Sequence, residues 1–273
     1  MTNINTKLKP DDVVLIGAPS DENSTFMRGP AKAPALIRKA LHCGSSNLFT
    51  ELGIDLSKSD QFQDVGDLEL KTGTEGFGQI VAGISNLISD GVKPLVLGGD
   101  HAITYPVVKA MRSKYKNINI LHFDAHPDLY DHFEGNKLSH ACPFARIMED
   151  QLADRLVQIG IRTLNDHQKE QSIRFKTEII EARNFKAGFK LNFDGPLYVT
   201  VDLDVLDPAF APGLSHHEPG GLSVRDVLQT IQNIKVPIIG ADIVEYNPDR
   251  DINDMTAMVA AKILRELAGK MLT

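Results

Sequence analysis

The chain has 273 residues, 42% of them hydrophobic and 24% charged, with a formal net charge of −7. That length is ample for a large core and fits a single catalytic domain over residues 1–273, while the acidic balance argues against nucleic acid or an anionic membrane as partner. Two cysteines without C-x-x-C spacing, Cys43 and Cys142, suggest neither a disulfide framework nor a zinc knuckle, and no window approaches the ~20 apolar residues of a membrane span.

Met1 to Asp12 is polar and carries no apolar signal core, so the expected location is cytoplasmic. Val13-Val14-Leu15-Ile16 then reads as a first buried strand, and Pro34 to Leu41 has helical spacing. Phe62 to Val65 reads as a strand and Phe77 to Leu87 as a helix. Pro94 to Leu97 is a third strand, running into Gly98-Gly99-Asp100-His101 and a helical pattern from Tyr105 to Tyr115. Ile118 to Phe123 leads into Asp124-Ala125-His126-Pro127-Asp128. Leu156 to Ile161 and Glu178 to Ile180 follow as strands. Leu197 to Val201 leads into Asp202-Leu203-Asp204, Val224 to Ile231 is helical, Pro237 to Val244 leads into Glu245, and Met255 to Leu267 is a long helix. Strands alternating with helices predict an eight-stranded parallel sheet covered on both faces, a three-layer α/β/α sandwich.

In such sheets ligands collect beyond the carboxyl ends of the strands, where the polar motifs of this chain fall. Four carboxylates and two imidazoles stand out: His101, Asp124, His126, Asp128, Asp202 and Asp204. Carboxylates packed together cannot all stay ionised without a counter-charge, and two divalent cations balance a formal −4. Six side chains are too many for one zinc, whereas an oxygen-rich set with two imidazoles suits a pair of Mn²⁺ ions. The glycine pair before Asp100 allows a sharp turn and close backbone approach. Pro127 ends its strand, so Asp128 need not keep the strand alternation. His122, inside an apolar strand, reads as a hydrogen-bonded core residue, and His132 and His167 as solvated.

At these residues the chain resembles the ureohydrolase family, the arginases, agmatinases and their relatives. Gly98-Gly99-Asp100-His101, Asp124 to Asp128, Ser139-His140 and Val201 to Pro208 look like its signature blocks, in its order. Within it the chain is most similar to plant-type arginases, through Glu134-Gly135-Asn136-Lys137, Phe144 to Met148, Ser215-His216, Glu218-Pro219-Gly220-Gly221 and Thr256 to Lys262. The resemblance implies two Mn²⁺ per subunit, one held by His101, Asp124, Asp128 and Asp202, the other by His126, Asp124, Asp202 and Asp204. It implies that Asp124 and Asp202 bridge, that His140 shuttles protons and that Glu245 binds the guanidinium. Asn136, Ser139 and His216 are carried over as further substrate contacts. Tyr130 departs from the asparagine of animal and bacillary arginases, no acid follows Gly160-Ile161-Arg162 at the expected place, and His217 departs from an apolar position. A homo-oligomer, hexamer or trimer, is also implied.

A guanidinium is planar, delocalised and protonated, so its carbon is a poor electrophile and water alone too weak a nucleophile. A pair of metals lowers the pKa of a bridging water, and the resulting hydroxide is the expected nucleophile. Glu245 can hold the head group by paired N–H bonds, Asp204 accepts the first proton, and His140 relays protons with solvent. The expected reaction is hydrolysis of L-arginine to urea and L-ornithine. The alternatives are agmatine, or another guanidino acid, as substrate. A single-metal zinc deacylase would not need so many acids, and no G-x-G-x-x-G or Walker pattern supports a nucleotide-binding module.

Overall fold

The computed structural model describes residues 8–186, 188–189 and 191–273. Eight strands form one parallel sheet: β1 (Val13–Ala18), β2 (Phe62–Asp67), β3 (Lys93–Gly98), β4 (Asn119–Phe123), β5 (Arg155–Ile161), β6 (Glu178–Glu181), β7 (Leu197–Asp202) and β8 (Ile238–Val244), in the order β2-β1-β3-β8-β7-β4-β5-β6. The continuous apolar runs follow from burial on both faces. In β1, Val13 and Leu15 face the core under α1 (Ala33–Leu41), α6 (Val224–Asn233) and α7 (Met255–Met271). Val14 and Ile16 face the opposite core, under α2 (Gly73–Ser89), α3 (Thr104–Arg112) and α4 (Pro143–Glu149). The outermost strands, β2 and β6, carry acids and are half-exposed, which blunts the sheet edges.

Every expected strand and the five expected helices form. Two helices go beyond the reading of the sequence, α4 and α5 (Asp166–Phe175). α4 is seven residues long and almost wholly buried, so it has no polar face to reveal a period. The buried positions of α5 are Gln168 and Gln171, which anchor the chain around Leu129 through their amides, so its inward face is polar. Among the described residues no helix is long and apolar enough to cross a membrane.

β8, the last strand in the chain, lies between β3 and β7, so β3, β8, β7 and β4 are contiguous at the centre. Their carboxyl ends open onto one cavity of about 200 Å³.

Candidate active site

Each of these four ends changes direction through a specific local device. After β3, a Cβ on Gly99 would lie 1.9 Å from the Ser20 carbonyl oxygen, so only glycine permits that approach. Asp100 then caps the short turn His101–Ile103, accepting from Ala102 N–H at 3.1 Å, and its other oxygen accepts from Asn23 N–H at 2.8 Å. β7 ends at Asp202, whose Oδ1 accepts from Asp204 N–H at 2.8 Å and starts the turn carrying Asp204. Asp128, beyond β4, and Glu245, beyond β8, have φ of 51° and 66°. Such left-handed backbone costs on the order of 1–3 kcal/mol per residue and persists only where surrounding contacts hold it. The Glu245 N–H is held by the Gly99 carbonyl at 2.9 Å.

All six candidate ligands converge. His101 Nδ1 lies 3.1 Å from Asp124 Oδ2, 3.1 Å from Asp128 Oδ2 and 3.2 Å from Asp202 Oδ2. This nitrogen is buried and makes no hydrogen bond, while Nε2 of the same ring is engaged by Thr200 Oγ1 at 3.0 Å. Ligand atoms about 2.1 Å from a shared ion and at right angles lie ~3 Å apart, so these four atoms fit a divalent cation. On the other side His126 Nδ1 lies 3.3 Å from Asp124 Oδ1 and 2.9 Å from Asp204 Oδ2. The two oxygens of Asp124 thus face different clusters, the disposition of a bridging carboxylate. Asp202 turns Oδ2 to the His101 side, and its Oδ1 accepts the Asp204 amide.

Burial and mutual repulsion make the donor set unstable by itself. Burial, with Asp124 adding repulsion, pushes Asp128 up to about 7. Burial, with Asp204 and Asp124 beside it, raises Asp202 well above the ordinary carboxylate range. A bound cation removes that penalty. His122 is not aimed at an open position: burial drops its pKa to about 4, and its Nε2 is 2.8 Å from Asp124 Oδ2.

Above the clusters, Glu245 divides its carboxylate. Oε1 accepts from His101 N–H at 2.8 Å and pairs with His140 Nδ1 at 2.8 Å, whereas Oε2 is buried, lacks a partner and belongs to a residue lining the cavity. Burial opposes charge on Glu245, but His140 outweighs it and holds the carboxyl below its usual range. Burial likewise disfavours the His140 imidazolium, and the Glu245 carboxylate overcomes it, lifting the pKa to about 9. The Thr25 hydroxyl and main-chain N–H lie 2.8 and 3.2 Å from His140 Nε2, while Nδ1 gives its proton to Glu245.

His216 lines the cavity, with its ring 5.8 Å from that of His126 and 5.4 Å from that of His140. Ser139 and Asn136 are not among its lining residues. Ser139 is buried with Oγ accepting from Ala141 N–H, and Asn136 ties its own loop to Asn23 through a 3.0 Å amide contact. Tyr130 is part of the wall and hydrogen-bonds Asn165. His132 and His167 sit half-exposed around Asp131. Cys43 and Cys142 are free thiols.

Three contributors escaped the sequence reading. Thr25 sits in an irregular loop with no motif around it. Asp100 looks like part of a turn, yet it anchors Asn23 and hence the loop bearing Thr25. Arg162 spreads its guanidinium over main-chain carbonyls, among them Asp204 at 2.7 Å and Glu218 at 2.6 Å, and so clamps the Asp204 turn to the loop that follows His216. A half-buried arginine after an apolar strand was the available signal.

The model of a family described as "Arginase family" matches residues 11–269. "Arginase 1, mitochondrial" of Arabidopsis thaliana is 49% identical over 94% of this chain and 80% of its own length. "Agmatinase" of Bacillus anthracis is 34% identical over 94% of this chain and 90% of its own. The solved structure of an arginase from Medicago truncatula has a TM-score of 0.88 and 43% identity, covering 95% of this chain and 87% of that one.

Proposed function

The chain belongs to the arginase family of metal-dependent ureohydrolases, and from that premise we propose that residues 1–273 form one catalytic unit hydrolysing L-arginine to urea and L-ornithine. The observation that carries this reading is the free, buried Oε2 of Glu245 lining the same cavity as the His/Asp clusters. A free carboxylate oxygen above a two-cluster acid site is what a guanidinium head group requires.

The family uses a binuclear metal site, and the two clusters of this chain meet at Asp124. We assign His101, Asp124, Asp128 and Asp202 to one ion and His126, Asp124, Asp202 and Asp204 to the other. The oxygen-rich set with two imidazoles supports manganese in both. When bound, the metal pair supplies Lewis acidity and a water of low pKa at neutral pH. The protein's own part begins with Glu245 Oε2, which accepts guanidinium N–H bonds and fixes the head group while Oε1 stays tied to His101 and His140. Asp204 would accept the proton released by the attacking water, and His140, held between Glu245 and Thr25, exchanges protons between cavity and solvent. His216 borders the aliphatic part of the substrate.

A second reading is favoured by one feature: no Lys or Arg is among the described residues lining the cavity, so no permanent cation there meets an α-carboxylate. Agmatine, which lacks that group, is the rival. The deciding experiment is urea release by the Mn²⁺-loaded protein with L-arginine and agmatine under identical conditions. A higher kcat/KM for arginine upholds our reading, a higher value for agmatine replaces the substrate and keeps the site, and urea from neither overturns the function. We also propose a homo-oligomer, hexamer or trimer. Exposed Phe210, Ile252 and Met255 supply apolar surface for such contacts, and light scattering tests the mass. A cytoplasmic location is our reading too, supported by the free thiols.

A further inference from the structure

Four adjacent strands carry a polar residue at one level of the sheet. Asp242 on β8 is the register partner of Thr200 on β7, Thr200 of His122 on β4, and His122 of Gln158 on β5. All four are 0% exposed. Residues in register on parallel strands point to the same face, so they form a continuous row inside an otherwise apolar layer. Buried polar groups at this density are costly unless each is spoken for by a partner.

Asp242 accepts from the Thr104 and Tyr198 hydroxyls, and the partners of the other three lead to the metal clusters. Thr200 Oγ1 meets His101 Nε2 at 3.0 Å. His122 Nε2 meets Asp124 Oδ2 at 2.8 Å. The Gln158 amide nitrogen donates to the Pro127 carbonyl, in the turn just before Asp128, at 2.6 Å and reaches His122 Nδ1 at 2.9 Å. The row therefore touches His101, Asp124 and the peptide ahead of Asp128. On the other side His126 pairs with Asp204 and with Asp124.

These contacts fix the His122 tautomer. A carbonyl oxygen only accepts, so the Pro127 contact puts the nitrogen of the Gln158 amide, not its oxygen, beside His122. That nitrogen has a second hydrogen to give, which makes His122 Nδ1 an acceptor and leaves the ring proton on Nε2, facing Asp124. The His122 ring is locked from its other face by Phe144, stacked at 4.0 Å. We propose that His122, with its tautomer set by Gln158, is a positioning residue: its Nε2–H holds Asp124 Oδ2 in the orientation that serves the cation on the His101 side. The inference rests on the two-metal reading above and is independent of which guanidine is hydrolysed. Carboxylates that bind metals depend on such outer hydrogen bonds for orientation and charge distribution.

The test compares Mn²⁺ binding by the full-length protein, His122→Phe and His122→Gln, using calorimetry together with the metal-free melting temperature of each. Phe keeps an aromatic ring against Phe144 and removes the donor, whereas Gln returns an amide N–H to about the same place. His122→Phe is expected to bind one of the two ions ~10–100-fold more weakly, the range for losing such a partner, and His122→Gln to recover most of that loss. Affinity tracking the melting temperature across the three proteins, rather than the presence of a donor, would leave only a packing role and overturn the proposal. So would two ions bound by His122→Phe with unchanged affinity. The unmodified protein supplies a readout that no folding defect can obscure: ¹⁵N spectra of the metal-free imidazoles should report His122 as the neutral Nε2–H form. An Nδ1–H form overturns the proposal even if both substitutions weaken binding. Loss of the arginine activity alone, with these results intact, would count against the function and not against the role of His122.

Discussion

Replacing Glu245 by glutamine probes the substrate side of the site without touching a proposed metal ligand. In the wild-type protein Oε1 receives the His101 N–H and the His140 Nδ1–H, each at 2.8 Å, and a main-chain N–H can only donate. A glutamine must therefore leave its carbonyl oxygen at the Oε1 position. Its NH₂ group then occupies the place of Oε2 and presents N–H to an incoming N–H. The loss combines a charge-assisted bond worth about 1.5–3 kcal/mol with the cost of leaving a buried cation unpaired, ~3–5 kcal/mol altogether. At about 1.36 kcal/mol per decade this is a fall of roughly 150- to 5,000-fold in kcat/KM. The assay is urea release over a wide range of arginine, paired with manganese content and the inhibition constant of guanidinium ion. Two retained ions with a raised KM and weakened guanidinium inhibition are expected. A variant that loses its metals, or whose kcat/KM falls less than tenfold, would refute the division of labour between Oε1 and Oε2.

Asp202→Asn changes a carboxylate assigned to both proposed ion sites, so it should weaken both ions and nearly abolish turnover; full activity with two bound ions would remove the bridging assignment. Chelation should lower the melting temperature, since each ion at a hundredfold excess over its Kd stabilises by ~2.7 kcal/mol, or roughly 5–10 °C in a chain of this size; calorimetry with and without chelator measures it. Thiol chemistry should separate the two cysteines. Burial, with Asp128 nearby, pushes Cys142 up to about 12, while the Ser45 hydroxyl lowers the pKa of Cys43. Iodoacetamide at pH 8 is therefore expected to label Cys43 and spare Cys142 in the folded protein, read by peptide mass spectrometry.

The eight strands were legible because a sheet covered on both faces writes itself as apolar runs, and the acids following four of those runs mark the ligand end. The six convergent side chains of the metal clusters were legible for the same reason. Helix α5 was not, because its buried positions are glutamines that bond to backbone, and no hydrophobic period records them. Ser139 and Asn136 were carried over by resemblance, and the structure does not bring them to the cavity wall. They flank His140 in the chain, but the turn directs their polar atoms into their own loop and toward Asn23. Gln158 was visible as an amide inside an apolar strand, yet its meaning required knowing that β5 lies beside β4. Thr25 reaches His140 Nε2 with both its hydroxyl and its main-chain N–H, but it lies 115 residues away in an irregular loop, so nothing local marked it.

The position of β8 also governs the order in which the molecule can be built. Everything before Ile238 can at most make two separate half-sheets, β2-β1-β3 and β7-β4-β5-β6, each ending in an unpaired inner strand. β8 is the wedge that joins them, pairing with β3 on one side and β7 on the other. A ribosome-bound chain stalled before that strand would expose two flat apolar edges, the templates on which aggregation starts. His101 and Glu245 meet across a separation of 144 residues, so the head-group contact is completed only after the wedge is driven home. With Glu245 in its proposed role, guanidinium affinity becomes a late clock for folding, readable against the earlier formation of the two half-sheets.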